Sequence, residues 1–125
     1  MIEQRRYARF SLEHDTFAAL GTECYRVGKV IDISIGGLSF EYIVGKDIQP
    51  NSTELDIFLA GNIFHLHNIP CKIIYEITIH EPHVNNSFIK ILTTKRCGLE
   101  FNNLSEEDHW HLKLFIENYS SQFLR

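Results

Sequence analysis

The chain has 125 residues, 44% of them hydrophobic and 22% charged, with a formal net charge of -4 at neutral pH. That length suits one globular domain able to fold without disulfides or a structural metal. The acidic balance disfavours a general nucleic-acid or anionic-membrane binder, and no apolar run approaches the roughly 20 residues a membrane span needs.

The opening Met1-Ile2-Glu3-Gln4-Arg5-Arg6 is charged with no apolar stretch behind it, which is not the pattern of a secretory signal. Arg5, Arg6 and Arg9 fall within five positions, giving an acidic chain a basic tip. Such a tip suits a small anionic ligand better than a long polyanion. Thr16–Leu20 and Val27–Ile33 read as strands bounded by turn residues such as Gly21. In Leu38–Tyr42 and Glu54–Leu59, large apolar residues keep a period of two. Cys71–Ile79 places Cys71, Ile73, Tyr75, Ile77 and Ile79 on one strand face, and Arg96–Phe101 turns Cys97, Leu99 and Phe101 inward. Short strands at this spacing predict an antiparallel barrel or sandwich rather than alternating β/α units. Cys24, Cys71 and Cys97 are odd in number and widely spaced, which argues against a disulfide framework and fits a reducing, cytoplasmic setting.

The period changes near the C-terminus. Ser105 is a good N-cap, and Glu106, Glu107 and Asp108 put negative charge in the first turn, where the helix dipole favours it. Leu112, Phe115, Ile116, Tyr119 and Phe123 then recur at helical steps, and Trp110 is expected in the core with them. The stripe packs on the sheet by default. A second subunit is the other option, so monomer and homodimer both stay open.

Two segments carry residues better suited to recognition than to folding: Arg5-Arg6-Tyr7-Ala8-Arg9, and Asp32-Ile33-Ser34-Ile35-Gly36-Gly37. A guanidinium fork donates bidentately to phosphate oxygens or to the O6/N7 edge of guanine, and its plane stacks on a purine. Ionised Asp32 only accepts, which suits guanine N–H donors, while Ser34 both donates and accepts. Gly36 or Gly37 would allow a positive φ and a close approach of backbone N–H groups to a ligand oxygen. A solvated terminus and an ordinary strand-ending turn are the plain alternatives for the two segments.

Arg5-x-x-x-Arg9 followed by Asp32-x-Ser34-x-x-Gly37 resembles the paired signature of PilZ domains, bacterial receptors for cyclic di-GMP. Arg96–Phe101 resembles that family's closing strand, and the helix from Ser105 its C-terminal helix. The resemblance implies a mainly β fold: a six-stranded antiparallel barrel at 11–103, an arginine-bearing arm at 1–10 draped over one end, and a helix at 104–125, all in one domain. It implies further that Arg5 and Arg9 hold guanine and phosphate of cyclic di-GMP. Asp32 and Ser34 would contact the second guanine region, and Gly37, with Gly36 beside it, would shape the turn. Arg6 sits at a variable position inside the first motif. The function implied is a receptor that changes its arm or surface on binding and signals to a downstream protein; the alternative is a PilZ-like interaction module that binds no nucleotide.

Other chemistries find less support. No serine stands in a recognisable nucleophile motif, no Gly-rich loop precedes a lysine, and no paired carboxylates stand out, so no enzyme is expected. His65 and His67 are two apart and in a strand would face the same side, with Cys71 not far on, and His109 and His111 form a second pair. No fourth ligand follows at a recognisable spacing, so these read as surface histidines with neither metal nor cofactor. Binding of RNA or DNA through the basic arm would show a steep salt dependence that a small ligand lacks.

Overall fold

The computed structural model describes residues 8–12, 15–21, 26–44, 54–59, 61, 65–80 and 93–124. In chain order these form β1 (Arg9–Leu12), β2 (Thr16–Leu20), β3 (Arg26–Ser34), β4 (Gly37–Ile43), β5 (Glu54–Leu59), β6 (His65–His80), β7 (Thr94–Phe101), α1 (Glu106–Tyr119) and β8 (Ser120–Leu124). The pairing order β2-β5-β6-β7-β4-β3 returns from β3 to β2, closing a six-stranded antiparallel barrel. Closure reduces the strand edge left open to another chain, since β6 pairs with β5 along its first half and with β7 along its second.

β3 makes closure possible because it serves two neighbours in succession. Arg26 to Lys29 pair with β2, and further along Ile33 pairs with Phe10 of β1. The period-two alternation seen in the sequence becomes burial. Leu38, Phe40 and Tyr42 of β4, Leu55, Ile57 and Leu59 of β5, and Cys97, Leu99 and Phe101 of β7 all lie in the core. Each fully buried Leu, Ile or Phe side chain favours folding by about 1.5–3 kcal/mol. Burial pushes the Cys71 and Cys97 thiols up, to about 11 and about 12, so both remain protonated packing groups.

The helix forms as its first residues dictate. Ser105 Oγ accepts the Asp108 N–H at 3.0 Å, and Leu112, Phe115 and Ile116 are buried. Trp110 is not: it is 57% exposed, because two residues before Leu112 lies on the opposite side of a helix. The helix also stops at Tyr119, short of the expected 125, and Ser120–Leu124 is extended. This last strand pairs with β1, from Arg9 opposite Leu124 to Leu12 opposite Ser120. That pairing takes in the last two residues of the arm, Arg9 and Phe10. The end of the arm, from Arg9, is a strand held between β3 and β8.

The single face expected for Cys71, Ile73, Tyr75, Ile77 and Ile79 is split after Ile73. Cys71 is buried opposite Phe101, and Ile73 lies opposite Leu99. The register then slips between Ile73 and Tyr75, so that Glu76 meets buried Cys97 while Ile77 meets Arg96. One extra residue in a strand reverses which side chains face inward beyond it. Ile77 and Ile79 are consequently 49% and 40% exposed, and Glu76 turns toward the barrel.

There Glu76 meets Arg26 and Tyr42. Arg26 Nε donates to Glu76 Oε2 at 2.9 Å and to the Tyr42 hydroxyl at 3.3 Å, and the Tyr42 hydroxyl donates to the same carboxylate. Burial, then the bond with Glu76, pushes the Tyr42 phenol up to about 12. For Glu76 burial acts to raise the pKa, but the hydrogen bonds from Tyr42 and Arg26 and the Arg26 charge outweigh it, holding the carboxyl below its usual value.

Candidate ligand-binding site

The second signature segment closes the β3–β4 hairpin. Ser34 pairs with Gly37 across a two-residue turn, and its side chain holds that turn together. Ser34 Oγ accepts the Gly36 N–H at 3.1 Å and donates to the Gly37 carbonyl at 3.3 Å. Such a hydroxyl bond to the backbone two residues on is why serine favours turns. Ser34 is accordingly buried. The positive φ expected at Gly36 or Gly37 is absent; among the described residues, left-handed glycines are Gly21 and Gly61. Gly37 is required for space instead. A Cβ there would stand 2.2 Å from the Leu99 carbonyl oxygen on β7. The Gly36 backbone is likewise engaged, its N–H by Ser34 and its carbonyl by the Phe101 N–H at 2.9 Å.

Asp32 sits two residues before Ser34 on the outer side of β3, just past a register shift between Val30 and Asp32. Arg9 of β1 reaches it: Arg9 Nη1 lies 3.2 Å from Asp32 Oδ1 and 3.5 Å from Oδ2. The two side chains are 30% and 16% exposed, so the pair is partly shielded and accessible from one side. The pairing of Phe10 with Ile33 brings them together, since it sets Arg9 beside the end of β3. Arg5 and Arg6 lie outside the described residues.

The register extends this site across the barrel wall. Asp32 faces Ser39 on β4, Ser39 faces Gly98 on β7, and Gly98 faces Tyr75 on β6. Ser39 is small and Gly98 has no side chain, and both are buried. The Tyr75 ring lies over Gly98, where a Cβ would come within 2.0 Å of Tyr75 Cε2. One step along, Glu41 pairs with Arg96, whose Nε donates to Glu41 Oε2 at 3.0 Å. The Glu41 carboxylate raises the Arg96 pKa, with smaller contributions from Tyr75 and Asp32. On the other side of the hairpin, a cleft of about 320 Å³ is lined by Ile35, Gly36, Glu100, Phe101, Asn103, Leu104 and His109.

The structure thus joins one member of the first motif, Arg9, to Asp32 of the second, and gives Ser34, Gly36 and Gly37 to the turn. Ser39, Tyr75, Arg96 and Gly98 escaped the sequence reading. Arg96 and Glu41 alternate with inward Cys97 and Phe40, a pattern that marks an outer face but not which strands lie side by side.

The PilZ domain family model matches residues 3–118, and the chain belongs to this family. Comparison with curated proteins gave no match. Among solved structures, the chain is similar in fold to the PilZ domain of YcgR from Escherichia coli, a structure with c-di-GMP, at TM-score 0.62 and 17% identity over 92% of this chain and 90% of that one. It is also similar to MrkH, described as a c-di-GMP-dependent transcription regulatory factor, at TM-score 0.66 and 17% identity over 94% of this chain and 52% of MrkH. A longer YcgR structure in complex with c-di-GMP gives TM-score 0.61 and 18% identity over 93% of this chain and 46% of that one. The chain spans about half the length of MrkH and of the longer YcgR. No helix among the described residues is long and apolar enough to cross a membrane.

Proposed function

We propose that the chain is a receptor for cyclic di-GMP, not an enzyme, and that Arg5, Arg9, Asp32 and the Ser34–Gly37 turn form its binding surface. The observation that carries this is the Arg9–Asp32 pair, which joins the two halves of the signature on one face. A guanidinium fork and a carboxylate side by side offer what one guanosine phosphate needs: donors for phosphate or the guanine O6/N7 edge, and an acceptor for guanine N–H groups. Arg96, on the same outer face and paired with Glu41, adds a second guanidinium near Asp32. The c-di-GMP named for the YcgR and MrkH structures supports the same ligand.

In this reading Arg9 exchanges part of its contact with Asp32 for the nucleotide. Ser34 acts through the turn, which sets the angle at which Asp32 leaves β3. The remaining arm, with Arg5 and Arg6, orders over the ligand, and the altered surface signals to a protein partner. Ordering such a segment costs about 2–5 kcal/mol of the gross interaction. Buried, reduced Cys71 and Cys97 fit a cytoplasmic setting for the receptor.

Ser34 and Asp32 are both satisfied internally, which is the specific observation behind the second reading, a PilZ module that binds protein and no nucleotide. Titration of the chain with cyclic di-GMP at low and moderate salt separates the possibilities. Saturable binding with a shallow salt slope is expected. Binding of single-stranded RNA in preference to the dinucleotide, with a steep slope, contradicts the proposal.

A further inference from the structure

On the wall formed by β5 and β6, neither of which pairs with β3 or β4, three metal-ligating side chains converge. Phe58 pairs with His65 and Ile57 with Leu66, then the register slips so that Leu55 meets Ile69. Asn68, inside the slipped stretch, has a left-handed φ of 54°. A bulge of this kind re-aims its neighbours. Here it leaves His65 Nε2 and His67 Nδ1 each 3.3 Å from Asp56 Oδ2. The two imidazole centroids are 3.7 Å apart, and the three ligand atoms all lie within 4.8 Å of one another.

We propose that Asp56, His65 and His67 form a binding site for a divalent transition-metal ion, zinc being the best match, which staples β5 to the β6 bulge. Simple ion pairing accounts for the arrangement poorly. Charge-assisted N–H···O bonds run about 2.7–2.9 Å, shorter than the separations here. Two imidazolium rings with centroids this close would also repel. Around zinc, by contrast, bonds of about 2.0–2.2 Å in a tetrahedron set ligand atoms roughly 3.3–3.6 Å apart, which both Asp–His separations already match. Two imidazole nitrogens and one carboxylate suit zinc, copper or nickel, whereas magnesium and calcium prefer all-oxygen sites.

The carboxylate is also pre-oriented. Asp56 Oδ1 accepts the Asn68 N–H at 2.9 Å, which turns Oδ2 toward the histidines. The His65 ring stands edge-on to Phe58, centroid to centroid 5.7 Å. Outer-shell contacts of this type commonly fix ligand orientation. Sequence spacing hid the site because its carboxylate comes from the neighbouring strand. The fourth coordination position opens to water, since His67 is exposed.

Chelator-treated protein titrated with zinc just above neutral pH tests the proposal, with cobalt as a spectroscopic probe. One zinc per chain is expected, cobalt giving the visible bands of tetrahedral coordination. His67→Ala and Asp56→Asn should each weaken binding at least about tenfold while circular dichroism stays unchanged. Absence of saturable zinc binding in the unaltered chain overturns the site. So does equal binding by either variant, which assigns the metal to other ligands or to fewer than three.

Discussion

Arg9 and Asp32 are 23 positions apart in the chain, yet they meet because β1 lies against the end of β3. Their residual exposure means that the contact is not worth much as a stabilising ion pair, and in the proposed function its use is to pre-position a cation and an acceptor. Losing the cation should therefore harm binding more than folding. Ser34 is the reverse case. Its hydroxyl joins the Gly36 N–H to the Gly37 carbonyl, so Ser34→Ala should lower stability by about 1–2 kcal/mol, read from the urea midpoint. An unchanged midpoint would show that the turn holds without it. Glu76 makes a pH prediction. Its folded pKa lies below the ordinary 4.5, so the stability it contributes is present above about pH 4.5 and is lost as pH falls through the lower folded value. Glu76→Gln should flatten the fall in stability with acidification over that window. Parallel acid profiles for the two proteins would remove Glu76 from this role.

Among the elements, β8 has the most direct consequence for the site. It pairs with β1 along the strand that begins with Arg9, so the C-terminal strand holds the arginine arm from its outer edge. A chain ending at Tyr119 keeps the barrel and the helix but leaves β1 paired with β3 alone. Because binding then has to order more backbone, cyclic di-GMP affinity should fall by roughly three- to tenfold, with barrel stability little altered. Unaltered affinity in the truncated chain would mean that β8 plays no part in positioning Arg9. The helix contributes differently: Leu112, Phe115 and Ile116 fasten it to the core, and Trp110 is left exposed on its far side.

For the whole molecule, the sequence announced the barrel strands because their alternation was regular, and every expected strand is present. It announced poorly whatever depends on a register shift. The slip at Ile73–Tyr75 turned Tyr75, Ile77 and Ile79 away from the expected face and brought Glu76 to Arg26 and Tyr42. The first half of β6 went unread because Pro70 and the slipped segment around Asn68 disguise a strand. β1 and β8 are four and five residues long, and their pairing is a long-range fact with no local period. At the site, the motif residues were legible as types and spacing. That Arg9 rests on Asp32, that Ser34 serves the turn, and that Ser39, Gly98 and Tyr75 continue the row are consequences of strand order.

The receptor reading stands on Arg9 and Asp32 as parts of one surface, and isothermal titration of the unaltered chain and of Arg9→Ala with cyclic di-GMP addresses both at once. Saturable heats are expected for the unaltered chain, with binding weakened by about 1.5–3 kcal/mol in the variant, roughly tenfold to over a hundredfold. Heats no larger than those of buffer injections for the unaltered chain, or equal affinity in the two proteins, would contradict it.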